Sequence, residues 1–203
     1  MFTLILASGS PRRKEILEQC KIEYKVIVSE VEEKISSSEP AEAAKELAFQ
    51  KADDVAGKLE TEGEYIVLGA DTIVVLEDDI LGKPLNEKDA FFMLKRIQNN
   101  THAVYTGVAV MVIRDGKVVQ TISFASETKV SVSELTEDEI SEYISTGEPM
   151  DKAGAYAIQG IFAKYVKKIE GNYNNVVGLP ISDIYEMLKS QGINLDKREF
   201  CQN

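Results

Sequence analysis

The sequence predicts a mixed α/β fold, and three observations predict it. Apolar runs of strand length alternate along the chain with segments of helical periodicity. The stretch from His102 to Val132 reads as two long strands meeting at Asp115-Gly116, a strong hairpin signal. The 203 residues are 44% hydrophobic and 28% charged, ordinary for a globular chain of one large domain or two small lobes around a cleft. A long hairpin set among strand–helix alternations makes the sheet mixed rather than purely parallel.

The elements follow in order. Thr3 to Ala7 reads as a buried strand, with Ser10 as N-cap and Pro11 as first residue of a helix reaching Cys20. Tyr24, Val26 and Val28 alternate with more polar neighbours and predict a second strand. In "SSSEPAEAAKELAFQKADDVAGKL" a capping serine, an early proline and an apolar stripe at Ala44, Leu47, Ala48 and Val55 predict a long helix. "YIVLGADTIVVL" reads as strand, break and strand, turned back at Asp78-Asp79 into "ILGKP". Glu87 to Ile97 is helical, with Ala90, Met93, Leu94 and Ile97 on one side. After the hairpin, helices at Glu137 to Ser145 and Ser182 to Gln191 bracket a Gly-rich stretch and a short strand, "FAKYVKKI". No internal repeat, low-complexity tract or long linker interrupts the chain, so residues 1–203 are expected to form a single domain.

Charge narrows the function. A net charge of -11, from 23 basic and 34 acidic side chains, argues against long-range attraction to nucleic acid or an anionic membrane. An anionic ligand needs local positive charge here, and a divalent cation would offset part of the repulsion. Two cysteines, Cys20 and Cys201, and one histidine provide neither a Cys2His2 zinc site nor a disulfide framework. The thiols read as free, and no apolar run approaches the ~18 residues that span a bilayer. A reducing cytoplasm is the expected location.

Several charges sit where structure alone would not put them. In "LILASGSPRRKEIL", Arg12 and Arg13 fall in the first turn of a helix, where the dipole disfavours cations. A bound phosphate would resolve the conflict, with hydroxyls from Ser8 and Ser10 and close backbone approach at Gly9. Arginines simply pointing into solvent are the alternative. Lys51 lies on the apolar stripe of its helix and must either snorkel or project into a cleft. Asp71 lies between two apolar runs, so it needs a cation, a metal or water, unless its side chain caps a bulge. A turn at Asp78-Asp79 would bring Lys83 opposite Val74, near Asp71. Of Glu30, Glu32 and Glu33, at least two are expected on a solvated face; one near Asp71 would complete an oxygen pair suited to Mg²⁺ or Mn²⁺. Gln159 offers a donor and an acceptor, the complement of a nucleobase edge, and Thr72 does so on a smaller scale. His102 reads as structural.

Together these segments resemble the Maf family of nucleoside triphosphate pyrophosphatases. The resemblance runs through "ASGSPRR" (Ala7 to Arg13), "EVEEK" (Glu30 to Lys34), "QKA" (Gln50 to Ala52), "GADT" (Gly69 to Thr72) and "LGKP" (Leu81 to Pro84). It continues through "TGVAV" (Thr106 to Val110), "GEPMDKAGAYAIQG" (Gly147 to Gly160) and "VVGLP" (Val176 to Pro180). It implies a fold like that of inosine triphosphate pyrophosphatases: an elongated mixed sheet with flanking helices and two lobes around a cleft. It also implies metal-dependent cleavage between the α and β phosphates. Asp71 matches the proton acceptor and, with Glu33, a metal-coordinating carboxylate. Ser8, Arg12, Arg13, Lys51 and Lys83 match the phosphate-binding set.

Arg12, Thr72 and Gln159 match the dTTP/UTP-directed subgroup. A 7-methyl-GTP-directed subgroup has Trp after the Pro and Glu in place of this Gln, and the chain has no Trp. Modified pyrimidine nucleotides are a second substrate option, and a homodimer is the assembly the resemblance suggests. A nucleotide-binding regulator of cell division or septum formation, not dependent on catalysis, is the alternative from another class.

Overall fold

The computed structural model describes residues 1–200; Cys201 lies outside the described residues. The elements run β1 (Thr3–Leu6), α1 (Pro11–Gln19), β2 (Lys25–Val26), α2 (Pro40–Ala56), β3 (Glu64–Leu76), β4 (Asp79–Leu81) and α3 (Glu87–Ile97). They continue with β5 (Thr101–Arg114), β6 (Lys117–Val132), α4 (Glu137–Ser145), β7 (Val166–Glu170), α5 (Tyr173–Val177), α6 (Ile181–Ser190), β8 (Ile193–Asn194) and β9 (Glu199–Phe200). The main sheet has the order β2-β1-β3-β5-β6-β7, with β4 on β3, and β8 and β9 form a separate antiparallel pair. It is mixed, as expected: β1 runs parallel to both β2 and β3, whereas β4 and β7 pair antiparallel with β3 and β6.

The chain divides into two compact units. The first comprises Met1–Asp71, Thr106–Ser126 and the chain from Gly178 onward. Its core includes Ile5, Val67, Ala109, Met111 and Ile113 from the strands and Ala7 just past β1, with Ala48, Ala52 and Val55 of α2 packed on them. Ala44, Ala48 and Ala52 recur every fourth residue and are fully buried, the small-residue stripe that lets a helix approach a sheet closely. The strands answer with glycines. A Cβ on Gly69 of β3 would stand 2.3 Å from the Ala48 carbonyl oxygen, and one on Gly107 of β5 would stand 2.0 Å from that of Ala44.

The second unit comprises Thr72–Tyr105 and Glu127–Val177. Helix α4 opens on a capping box, Thr136 with Glu139, and Asn86 caps α3 through the Asp89 N–H. Beyond α4, Gly147 to Tyr165 folds into short 3-10 turns around a ring cluster. Phe162 lies 5.1, 4.9 and 5.4 Å from the rings of Tyr143, Tyr156 and Tyr165.

Several local expectations are corrected. Strand β3 runs unbroken for 13 residues; Gly69 serves close approach to α2, not a break. The β3–β4 turn is Glu77-Asp78, because Leu76 pairs with Asp79 and Val74 with Leu81. Glu77 takes the left-handed φ of 59°, and the earlier turn moves the register by two residues. Lys83 therefore does not face Val74. Helix α2 starts at an N-cap of Glu39 with no side-chain cap, and Ser37 instead accepts from the Glu39 N–H. Ser10 stands at the N-cap of α1, also without a side-chain cap bond. Strand β2 has only two residues, and Ile161–Tyr165 is a 3-10 helix before β7 begins. The Asp115-Gly116 turn is as expected, with φ of 49° and 69°. Among the described residues no helix is long and apolar enough to cross a membrane.

Candidate active site

The first unit gathers seven of the singled-out residues from four pieces of chain. Strand β1 leads through buried Ser8 to half-buried Ser10 and Arg12 at the start of α1. Arg13 is itself buried at 8% exposure. Its Nη1 donates to Ser8 Oγ at 3.0 Å and its Nε to the Gly178 carbonyl at 2.8 Å. Burial lowers the Arg13 pKa; Asp71 opposes that shift, Arg12 adds to it and Glu33 opposes it. These four charged groups thus share one electrostatic neighbourhood. Arg13 is held by protein acceptors, so it needs no bound anion to explain its position near the helix start. Gly178, in the "VVGLP" segment, is the partner that sequence reading missed; its signal was an otherwise unassigned motif.

Helix α2 and strand β3 supply the opposite charges. Gly69 and Asp71 are two residues apart on one strand, so both point to the same sheet face. The face that Gly69 opens toward Ala48 and Ala52 is therefore the face on which Asp71 meets Lys51. The Lys51 ammonium donates to Asp71 Oδ1 and lies 2.9 Å from Glu33 Oε1. Lys51 and Asp71 are 16% and 15% exposed, so the pair is largely withdrawn from water. Such a pair keeps more of its Coulomb energy than an exposed one. Lys51 neither snorkels nor lies free; it is the shared cation of two carboxylates.

Glu33 reaches Lys51 from a loop without regular structure. Three α2 side chains, each four residues from the next, hold that loop along one helix face. Asp54 accepts from the Glu30 N–H at 3.0 Å, and Gln50 from the Lys34 N–H at 3.0 Å. Gln50 also donates to the Lys34 carbonyl at 2.6 Å, and Glu46 accepts from the Ser36 N–H at 2.8 Å. Glu30 and Glu32 lie 3.9 Å from Lys58 and Lys34 at the surface. Only Glu33 of the three enters the cluster, as the sequence suggested.

Glu33 and Asp71 are chemically suited to a hard divalent cation. Two carboxylates already converge on one cation, and both are hard oxygen donors. Mg²⁺ is ordinarily held by one or two carboxylates, with waters and phosphate oxygens completing its shell. Among the described residues no group of three or more His, Cys, Asp or Glu is gathered to hold a metal; a pair of oxygen donors with no thiolate or imidazole is the chemistry of Mg²⁺ or Mn²⁺ rather than of zinc.

The remaining three residues belong to the second unit. Thr72 follows Asp71 on β3 and is half-buried. Lys83 is exposed just beyond β4. Gln159 is exposed in a turn whose flanking residues are held by Tyr143 and Glu148. Glu148 accepts from Tyr143 Oη at 2.9 Å and from the Ile161 N–H at 3.0 Å, while the Ala157 N–H donates to Tyr143 Oη at 3.3 Å. His102 is structural: it is 2% exposed, with Nε2 2.7 Å from Tyr156 Oη and Nδ1 buried without a partner. Cys20 is an exposed free thiol.

The sequence model of the family described as Maf-like protein matches residues 3–191. A dTTP/UTP pyrophosphatase of Lachnoclostridium phytofermentans is 50% identical over 198 residues, covering 98% of this chain and all of that one. A Thermoanaerobacter protein of the same name is 50% identical over 93% of this chain and 96% of its own. One from Bacillus thuringiensis subsp. konkukian is 50% identical over 96% and 98% respectively. Among solved structures, the chain is similar to the Ham1 protein of Staphylococcus aureus, at 14% identity and a TM-score of 0.45 over 93% of this chain and 98% of that one.

Proposed function

This chain belongs to the Maf family, and from that premise we propose that it is a nucleoside triphosphate pyrophosphatase acting on dTTP and UTP. The single observation that carries the reading is Lys51 shared between Asp71 and Glu33, on the face where α2 meets β3. Relatives at 50% identity over nearly the whole chain bear the name dTTP/UTP pyrophosphatase, which supports the substrate class.

In the proposed reaction Asp71 accepts the proton of a water whose oxygen bonds to the α-phosphorus. The bond from that phosphorus to the α,β-bridging oxygen breaks, and pyrophosphate leaves with the electron pair. Glu33 and Asp71 would hold Mg²⁺ or Mn²⁺, which when bound acidifies water and offsets phosphate charge. Arg12 and Lys51 supply fixed positive charge to the phosphates, and Arg13 supplies it from a position locked by Ser8 and Gly178. Ser8 and Ser10 add hydroxyl donors. The family resemblance gives Lys83 a phosphate contact and Thr72 and Gln159 base contacts; the exposure of Lys83 and Gln159 keeps both open to a ligand.

Asp71→Asn tests the reading. Pyrophosphate release from dTTP with Mn²⁺ should fall at least ~100-fold while nucleotide binding stays measurable. Full turnover in that variant, or orthophosphate as the first product of the wild-type protein, would refute it. A homodimer is part of the same proposal, and light scattering at micromolar concentration checks it.

A further inference from the structure

The side chains that hold the Glu33 loop do different work. Asp54 and Glu46 take its two ends, at Glu30 and Ser36. Gln50 takes the residue next to Glu33, and takes it twice: its Oε1 accepts from the Lys34 N–H and its Nε2 donates to the Lys34 carbonyl. A primary amide supplies that donor and acceptor together; a carboxylate has no donor and an ammonium no acceptor. Two bonds to one residue fix the orientation of the backbone as well as its distance. Gln50 also immediately precedes Lys51, so the helix residue that fixes the loop adjoins the one that meets the Glu33 carboxylate.

We propose that Gln50 is a positioning residue: its amide clamps Lys34 so that the Glu33 carboxylate is presented beside Asp71, and this sets the affinity for the divalent cation. The inference rests on reading Glu33 and Asp71 as the metal pair. The clamp is exposed at the surface, so removing it leaves the α2–β3 core untouched. Partners that orient metal ligands typically change metal affinity by 10- to 100-fold when lost.

The experiment is a double-mutant cycle on the full chain, read by Mn²⁺ calorimetry without nucleotide. Gln50→Leu should weaken Mn²⁺ binding roughly tenfold, with the metal-free melting temperature within about 3 °C of the wild type. Saturating Mn²⁺ should restore most of kcat. In a Glu33→Gln background the same change should have no further effect on Mn²⁺ affinity, because Gln50 acts through Glu33. Wild-type affinity in Gln50→Leu, or additive losses in the double variant, would overturn the proposal. Should Gln50→Leu melt early, Gln50→Met, neutral and close to glutamine in length, takes its place in the cycle with the same expected losses. A wild-type protein that hydrolyses dTTP yet binds no Mn²⁺ would overturn the metal pair itself, a result distinct from loss of the clamp effect.

Discussion

Gly69 of β3 and Ala48 of α2 meet so closely that a single methyl group would not fit between them: a Cβ on Gly69 would stand 2.3 Å from the Ala48 carbonyl oxygen. The obstructing atom is backbone, so the helix itself would have to move. Gly69→Ala should cost about 3 kcal/mol or more in urea unfolding, at the upper end of overpacking effects. Because Lys51 rides on that helix and Asp71 on that strand, turnover of the folded fraction should fall as well. Gly82→Ala, where nothing lies within 4 Å, is the matched control and should stay within about 0.5 kcal/mol of the wild type.

Lys51 has a second expected signature. Its ammonium already pairs with both Asp71 and Glu33, so it competes with any other cation for the same oxygens. Lys51→Met should lower dTTP hydrolysis by about 100-fold or more. The same variant should bind Mn²⁺ more tightly than the wild type in the absence of nucleotide, since two like charges are left side by side. Calorimetry that finds equal or weaker Mn²⁺ binding would remove the competition.

His102 makes stability depend on pH. Burial lowers its pKa from 6.5 to about 4, so the fold keeps the imidazole neutral while the unfolded chain takes up a proton below about pH 6.5. The stabilising contribution is full above pH 6.5 and is lost as pH falls toward 4. A shift of that size corresponds to about 3 kcal/mol. It is the only histidine in the chain, so His102→Gln should flatten the imidazole part of the slope in denaturant midpoints measured between pH 7 and 4.5.

Gln159 tests base selection. A thymine or uracil edge offers an N–H flanked by carbonyl oxygens, which an amide can match from both sides. Gln159→Glu loses the donor and sets a negative charge against those oxygens. kcat/KM for dTTP and UTP should drop about tenfold or more relative to other nucleoside triphosphates. An unchanged profile across a nucleotide panel would take Gln159 out of base reading.

The charged residues were legible in the sequence because each breaks a pattern. Asp71 interrupts an apolar strand and Lys51 an apolar helix stripe, and the two meet. Residue contacts that span the chain left no such trace. The bond from Arg13 to Gly178 joins segments 165 residues apart, and the loop held by Glu46, Gln50 and Asp54 uses side chain–backbone bonds, which have no period to read. The expected break in "YIVLGADTIVVL" failed for a related reason: the polar and small residues between its two apolar runs look like an interruption until the helix packed against Gly69 is known. The β3–β4 turn slipped by one position because Glu77 adopts a backbone conformation that usually belongs to glycine or asparagine.

The laddered loop has a consequence for local opening. Glu30, Lys34 and Ser36 lie in a segment without helix or strand, yet each N–H ends on a side chain of α2. Those side chains can turn away without α2 unfolding, so the three amides should exchange more slowly than in an open loop yet faster than the amides of α2 itself. A tract that looks like an idle connection is thereby tethered to the helix that carries Lys51.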